Sequence, residues 1–329
     1  MKVRVYGAKE EEIAYSESLR PGYPLELAYA KEVLGPDTVD LTRGYDAVWI
    51  VTACKITEAV ARRLQENGVK YVVTRSAGYD HMELAAMKQY GLRGANVPFY
   101  SPWAISEHAI LTALSLLRLA KKQQKKIAAG DYTLAGVQGK ELHTMTAGVV
   151  GTGRIGYETI SYLKGFHCQV LASDPYENER TARIAQYVPL EELLAQADIV
   201  FLHCPMTADN YHLLNADTIG KMKDGVYVVN NARGGLIDHA AMLEALKSGK
   251  VAGFGFDVYE NETAFLRKKD VKPEQLDPVF AELLSMDNVI YTAHTGFYTD
   301  KAIESMIQVT MDNLGQYAKD GCCKNELVK

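Results

Sequence analysis

The sequence predicts an α/β protein with doubly wound, mainly parallel sheets. Short apolar runs of strand length alternate with amphipathic helical stretches along the whole chain. One such run, Ala147 to Val150, opens into Gly151, Gly153 and Gly156, then a helical stretch and a second apolar run, Gln169 to Ser173. That order is a β-α-β unit. At 329 residues the chain is also long enough for two domains with cores of their own.

In the first hundred residues the expected strands are Val3 to Gly7, Thr38 to Leu41, Ala47 to Val51, Tyr71 to Arg75 and Arg93 to Val97. A helix from Thr57 to Asn67 is ended by Gly68, the residue best suited to a helix C-terminus. This block has no phosphate-binding glycines, so it reads as a domain of similar class with a different task. At Asn96 to Pro102 two prolines forbid a regular helix or central strand, which marks a crossing between domains. A long helix is expected from Trp103 to Ala129, with Ser101 as N-cap and Pro102 at its first position. Six further strands follow, near 147–150, 169–173, 199–203, 226–231, 251–257 and 288–293. A last helix, Asp300 to Ala318, is too short for a domain and is expected to return to the first one.

Composition narrows the function. A net charge of −5 gives no basic footprint for nucleic acid or an anionic membrane. The cluster Lys121, Lys122, Lys125, Lys126 reads as the solvated side of a helix. No apolar stretch reaches the ~18 residues that span a bilayer, and the N-terminus is a strand followed by charge. Five cysteines without a C-x-x-C pair imply neither a disulfide framework nor a zinc site. A cytoplasmic protein with no bound metal is expected.

The glycine stretch carries the first chemical reading. Gly151 allows a tight turn out of the strand, Gly153 lets a pyrophosphate approach the backbone, and Gly156 lets helix and strand pack closely. The helix N-terminus offers free N–H groups and a partial positive charge to phosphates. Asp174 ends the second strand, where a carboxylate can accept both ribose hydroxyls of NAD and repel a 2′-phosphate. NAD is therefore the expected cofactor.

Four polar residues lie at or just beyond strand ends in the second block: Arg233, Asp257, Glu262 and His294. Each alone has an ordinary structural explanation. As a set they make a reaction. Arginine binds a carboxylate through two parallel hydrogen bonds. Histidine exchanges protons near neutral pH. A neighbouring carboxylate orients the imidazole and favours its charged form. Beside a nicotinamide this reads as hydride transfer to a 2-oxo acid. His203-Cys204-Pro205 reads as a loop lining the cofactor, since adjacent residues rarely converge on one metal. No pairing is evident for His81, His108, His143, His167, His212 or His239.

Across its length the sequence resembles the D-2-hydroxyacid dehydrogenase family. It is closest to the D-lactate dehydrogenase branch, which includes the vancomycin-resistance type. The matching motifs are TRSAGYDHMEL (74–84), VPFYSPWAISEHA (97–109), GKELHTMTAGVVGTGRIG (139–156), LHCP (202–205), VNNARGGLID (229–238), FDVYENE (256–262) and TAHTGFYT (292–299). The resemblance implies that Arg233, Glu262 and His294 are catalytic. It implies cofactor contacts at Gly151, Gly153, Arg154, Ile155, Gly156, Asp174, Cys204, Pro205, Asn210, Asn231, Ala232, Arg233 and Asp257. Substrate contacts would come from Ala77, Gly78, Tyr100, Arg233 and Tyr298.

The resemblance also implies two Rossmann-like domains separated by a cleft: a discontinuous substrate domain (1–99 with 299–329) and an NAD-binding domain (100–298). A homodimer through the latter is implied too. Several positions depart from the family pattern: Asn261 for glycine, Ala293 for proline, Gly296 for alanine, and Trp103 for a small or polar residue. Val51 stands where some lactate-specific relatives carry a bulky aromatic. The expected activity is reduction of pyruvate to D-lactate. The alternatives are a dehydrogenase for bulkier 2-oxo acids (2-oxoisocaproate, phenylpyruvate, 2-oxoglutarate) and a dinucleotide-sensing protein without turnover.

Asp174 generates a test. NADH should be preferred over NADPH by more than about tenfold in kcat/KM, because two anions would otherwise meet there. Asp174→Ala should narrow the gap mainly by weakening NADH. Comparable kcat/KM for the two cofactors in the unaltered enzyme would refute the assignment.

Overall fold

The computed structural model describes residues 1–328. The chain divides into two compact units, Met1–Ser101 with Tyr298–Lys329, and Pro102–Phe297.

The first segment runs β1 (Lys2–Val5), α1 (Glu10–Leu19), β2 (Glu26–Tyr29), β3 (Ala47–Ile50), α2 (Glu58–Glu66), β4 (Tyr71–Thr74), α3 (Leu84–Gln89) and β5 (Arg93–Ala95). The second unit begins with α4 (Pro102–Leu117) and α5 (Ala120–Ala128). It continues through β6 (Thr146–Val150), α6 (Arg154–Gly165), β7 (Gln169–Ser173), α7 (Glu179–Ala182), β8 (Gln186–Tyr187), α8 (Leu190–Gln196) and β9 (Ile199–Leu202). It ends with α9 (Ala216–Gly220), β10 (Val226–Asn230), α10 (His239–Ser248), β11 (Val251–Phe256), α11 (Pro278–Ser285) and β12 (Val289–Tyr291). The last segment adds α12 (Asp300–Asp320) and β13 (Glu326–Val328).

The first unit is a six-stranded sheet in the order β13-β5-β4-β3-β1-β2. Its pairs are parallel except β13, which lies antiparallel on β5. Strand β3, AVWI, is buried at every position, as expected of an inner strand covered on both faces. One face packs Val3, Trp49 and Val73 against Ile307, Met311, Leu314 and Tyr317 of α12. Asn313 Nδ2 donates to the Asn96 carbonyl at 2.9 Å, and Asn325 Nδ2 donates to Asn313 Oδ1 at 2.8 Å. These bonds satisfy polar groups that the helix buries.

The second unit is a seven-stranded sheet in the order β12-β11-β10-β9-β6-β7-β8, parallel throughout. From β6 the chain runs outward to β7 and β8, then returns to β9 on the other side of β6. The carboxyl ends of β6 and β9 therefore form a topological switch point, the place where open α/β sheets bind ligands.

Local chemistry redirects the sequence reading at several places. Thr38 to Leu41 is not a strand; a 3-10 turn covers Val39–Thr42. Thr38 Oγ1 donates to the Val33 carbonyl at 2.7 Å and accepts from Gly35 N at 2.9 Å, which competes with extended pairing. The single helix expected over 103–129 is two helices, broken where Leu119 adopts φ 53°. Lys140 N takes the Leu117 carbonyl at 2.9 Å, so the first helix ends there. Strands β2, β8 and β13 were not foreseen; each is two to four residues long, too short to show a period.

Helix α10 buries a histidine. His239 is 5% exposed, with its ring edge-on to Tyr259 at 4.4 Å. Its Nε2 has no hydrogen-bond partner among the described residues. Burial pulls its pKa from 6.5 down to about 4. Between those values the unfolded chain binds a proton that the fold refuses. The stabilisation is therefore complete above about pH 6.5 and is lost as pH falls towards 4, at about 1.4 kcal/mol per pH unit. His239→Phe should flatten the fall of Tm between pH 6.5 and 4.5. Parallel Tm–pH curves for variant and parent would refute this.

Candidate active site

The cofactor end starts at β6. Gly151 stands at φ 92°, and a Cβ there would come 2.5 Å from Cys204 N; a Cβ on Gly156 would come 1.9 Å from the Gly151 carbonyl oxygen. These two glycines bring β6, α6 and the loop after β9 into contact. Gly153 is different: nothing lies within 4 Å of its Cβ position, at the N-terminus of α6. That cradle fits a pyrophosphate. Arg154 and Ile155 open the helix beside it.

Asp174 follows β7. Its Oδ2 accepts from Thr152 N at 2.7 Å and Thr152 Oγ1 at 3.2 Å, and its Oδ1 accepts from Tyr176 N at 2.8 Å. The carboxylate is thus held against the glycine loop, with lone pairs left for two hydroxyls. Cys204 and Pro205 follow β9. Burial pushes the Cys204 thiol up to about 11, so it stays neutral. Asn210 ties that loop, accepting from Thr207 N at 2.7 Å and donating to the Pro205 carbonyl at 2.8 Å. Asn231, just past β10, has both amide atoms buried without a partner among the described residues. An idle donor beside an idle acceptor fits a ligand carrying both, such as a carboxamide or a ribose hydroxyl.

The reactive end is built on three adjacent strands. At the end of β10, buried Asn230 shapes a turn: its Oδ1 accepts from Ala232 N at 3.0 Å and its Nδ2 donates to the Arg233 carbonyl at 2.9 Å. Arg233 Nη1 donates to the Ala232 carbonyl at 2.8 Å. Gly234 lets this turn abut the next, since a Cβ there would come 2.3 Å from Glu260 N. Past β11, Glu262 Oε2 accepts from Tyr259 N at 2.9 Å. Its Oε1 lies 2.6 Å from His294 Nδ1, beyond β12.

Asp257, only 4% exposed, holds the turn that carries His294. Its Oδ1 accepts from Thr292 Oγ1 at 2.6 Å and Thr295 N at 2.8 Å, and its Oδ2 accepts from Gly296 N at 2.9 Å. Its carbonyl accepts from His294 N at 2.6 Å. His108 Nε2, on α4, lies 2.9 Å from Thr292 Oγ1. Because that hydroxyl donates to Asp257, the imidazole is the donor.

The Glu262 carboxylate accepts from Nδ1 of His294, which leaves Nε2 to exchange a proton with a ligand. The pair is partly exposed, 37% for the imidazole and 13% for the carboxylate, so a small substrate can reach it.

Comparison with known proteins gives the family. Residues 110–296 match the model of the D-isomer specific 2-hydroxyacid dehydrogenase NAD-binding domain. A D-lactate dehydrogenase of Lactiplantibacillus plantarum is 41% identical over 98% of this chain and 97% of its own. The chain belongs to the D-2-hydroxyacid dehydrogenase family. An aromatic 2-oxoacid reductase of Clostridium sporogenes is 37% identical, covering all of this chain and 99% of the relative. The solved structure of a D-2-hydroxyisocaproate dehydrogenase superimposes with a TM-score of 0.91 at 39% identity, with full coverage of both chains. This protein is thus an oxidoreductase acting on the CH–OH group of 2-hydroxy acids, with NAD as cofactor. Among the described residues no helix is long and apolar enough to cross a membrane, and no three His, Cys, Asp or Glu side chains converge on a metal position.

The remaining candidate residues of this dehydrogenase lie in the first unit. Val51 follows β3, Ala77 and Gly78 follow β4, and Tyr100 precedes the crossing. The Ala77 carbonyl accepts from Asn96 Nδ2 and the Gly78 carbonyl from Ser76 Oγ, both at 2.7 Å. Tyr298 donates to Glu11 Oε1 at 2.9 Å, with Lys9 Nζ 4.5 Å from its ring centroid.

Sequence reasoning missed Asn230, His108, Thr292 and the Tyr259 N–H. The SEHA motif contained His108, but no spacing links a helix residue to a turn 184 positions later. The geometry yields a test. Glu262→Gln keeps the shape of the pair and replaces the carboxylate that holds the imidazole Nδ1–H. In the variant kcat for oxo-acid reduction should fall by about tenfold or more, with Kd for NADH close to that of the parent. Parent-like kcat would detach Glu262 from proton transfer.

Proposed function

We propose that the enzyme reduces pyruvate to D-lactate with NADH. The 2.6 Å pair of His294 and Glu262 carries the reading. The Arg233 guanidinium binds the substrate carboxylate and steadies the charge that grows on the keto oxygen. His294 gives its proton to that oxygen, while Glu262 holds the imidazole in place. NAD supplies or accepts the hydride when bound, held by Gly151, Gly153, Gly156, Asp174, Asn231 and the 204–210 loop. In the reverse direction neutral His294 takes the hydroxyl proton. Tyr100 and Tyr298 line the substrate side. The enzyme works in the cytoplasm as a homodimer through the cofactor-binding unit, where Leu111, Tyr132 and Leu134 offer exposed apolar surface.

A second reading, preference for bulkier 2-oxo acids, is favoured by Val51. This half-buried valine packs against Gly7, where a Cβ would meet its Cγ2 at 2.8 Å. A valine is smaller than the bulky aromatic that some lactate-specific relatives carry at this position. The aromatic and hydroxyisocaproate enzymes among the relatives support it. The deciding measurement is kcat/KM over pyruvate, 2-oxoisocaproate, phenylpyruvate and 2-oxoglutarate. Pyruvate should lead, and NADH binding without turnover on any of them would mean a sensor. Val51→Tyr should cut activity on phenylpyruvate by roughly tenfold or more and on pyruvate far less, since one methylene alone is worth about 1–3 kcal/mol. A parallel fall on both would remove Val51 from the pocket.

A further inference from the structure

The turn bearing His294 is held in an unfavourable shape. Ala293 and His294 are consecutive non-glycine residues in the left-handed region, at φ 52° and 55°. L-residues avoid that region, so the shape persists only where the surroundings over-determine it. A proline ring at 293 is incompatible with this φ, so the turn needs another restraint. Asp257 supplies one from within, through Thr292, Thr295 and Gly296.

The other comes from Arg267. Its Nη1 donates to the Ala293 carbonyl at 3.2 Å and its Nη2 to the His294 carbonyl at 2.7 Å. The fork spans both residues of the strained pair. The same guanidinium lies 5.9 Å from the Phe297 ring centroid, and Phe297 meets the His294 imidazole edge-on at 6.2 Å. Arg267 and Glu262 belong to one short segment, so that segment grips His294 twice: Glu262 by its ring, Arg267 by its backbone. Between them Phe265 stacks on Phe280 at 4.6 Å and anchors the segment in the core. Leu266 N donates to the Glu262 carbonyl at 2.7 Å and closes the short loop.

We propose that Arg267 is a positioning residue for proton transfer, fixing the Ala293–His294 backbone so that the imidazole keeps its alignment between Glu262 and the substrate. This rests on the reading of His294 as the proton donor. Misplacement of a reacting group by about 1 Å can cost on the order of a hundredfold in rate, and Arg267 touches neither of the reacting side chains directly. Its loss should therefore appear in kcat and leave binding alone.

The experiment uses the full-length enzyme with NADH and its best 2-oxo acid, in the variants Arg267→Ala, Arg267→Lys and His294→Gln. In Arg267→Ala, kcat should fall about ten- to hundredfold, with KM for the oxo acid and Kd for NADH within about twofold of the parent. Sub-denaturing guanidinium chloride should restore part of that kcat and do nothing for the parent, because the exposed site admits the free ion. Arg267→Lys, which can still donate to one carbonyl, should fall between parent and Arg267→Ala. Parent-like kcat in Arg267→Ala overturns the proposal. So does a loss shared equally by Tm, NADH affinity and kcat, or a lack of guanidinium rescue. His294→Gln keeps the two failures apart. If it retains turnover, the proton-donor reading falls; if it is inactive while Arg267→Ala is parent-like, only the role of Arg267 falls.

Discussion

A buried carboxylate just past β11 organises the turn that carries His294. Asp257 is almost wholly removed from water, yet it accepts a hydroxyl and two backbone N–H groups from the turn after β12. A buried charge is tolerated only where such donors surround it. The donors here belong to the residues on either side of His294. The requirement to satisfy Asp257 therefore also dictates where the imidazole stands. His108 extends the arrangement to α4 through Thr292, so the turn is tied to a helix as well as to two strands.

Carboxylates in this unit carry out different tasks because their surroundings differ. Asp174 is pinned to the glycine loop by Thr152 and Tyr176. Asp257 is occupied by the Thr292 hydroxyl and two backbone N–H groups. Glu262 divides its oxygens between the Tyr259 N–H and the imidazole, so one atom fixes the side chain and the other holds the ring. Turns are shaped in the same way on the neighbouring strand, where buried Asn230 holds the loop of Arg233 from both sides. Polar side chains buried at strand ends thus set the loops, and the loops present the reactive groups.

The left-handed pair at Ala293 and His294 shows how strain is kept at a site. Neither residue has the freedom of glycine, and neither would hold this shape in an isolated peptide. The hydrogen bonds that hold it are made by residues distant in sequence, on the neighbouring strand end and in the 262–267 segment.

Much of this was legible in the sequence for a local reason. The glycine spacing, the acid after the second strand and the apolar strand runs are properties of short stretches. They specified the cofactor, the α/β class and the positions of Arg233, Glu262 and His294 at strand ends. Resemblance to the family then indicated which of those residues act together. Tertiary structure decided the rest. The edge strands β2, β8 and β13 are too short to carry a period, and pairing with a neighbour makes them strands. The break at Leu119 depends on a carbonyl claimed by Lys140, twenty-odd residues on. His108, Thr292 and Arg267 look unremarkable along the chain, because their partners are brought to them only when α4, β11 and β12 lie side by side. Local patterns encode periodicity and turn chemistry; which buried donor meets which acceptor depends on contacts between strands, which no stretch of sequence contains by itself.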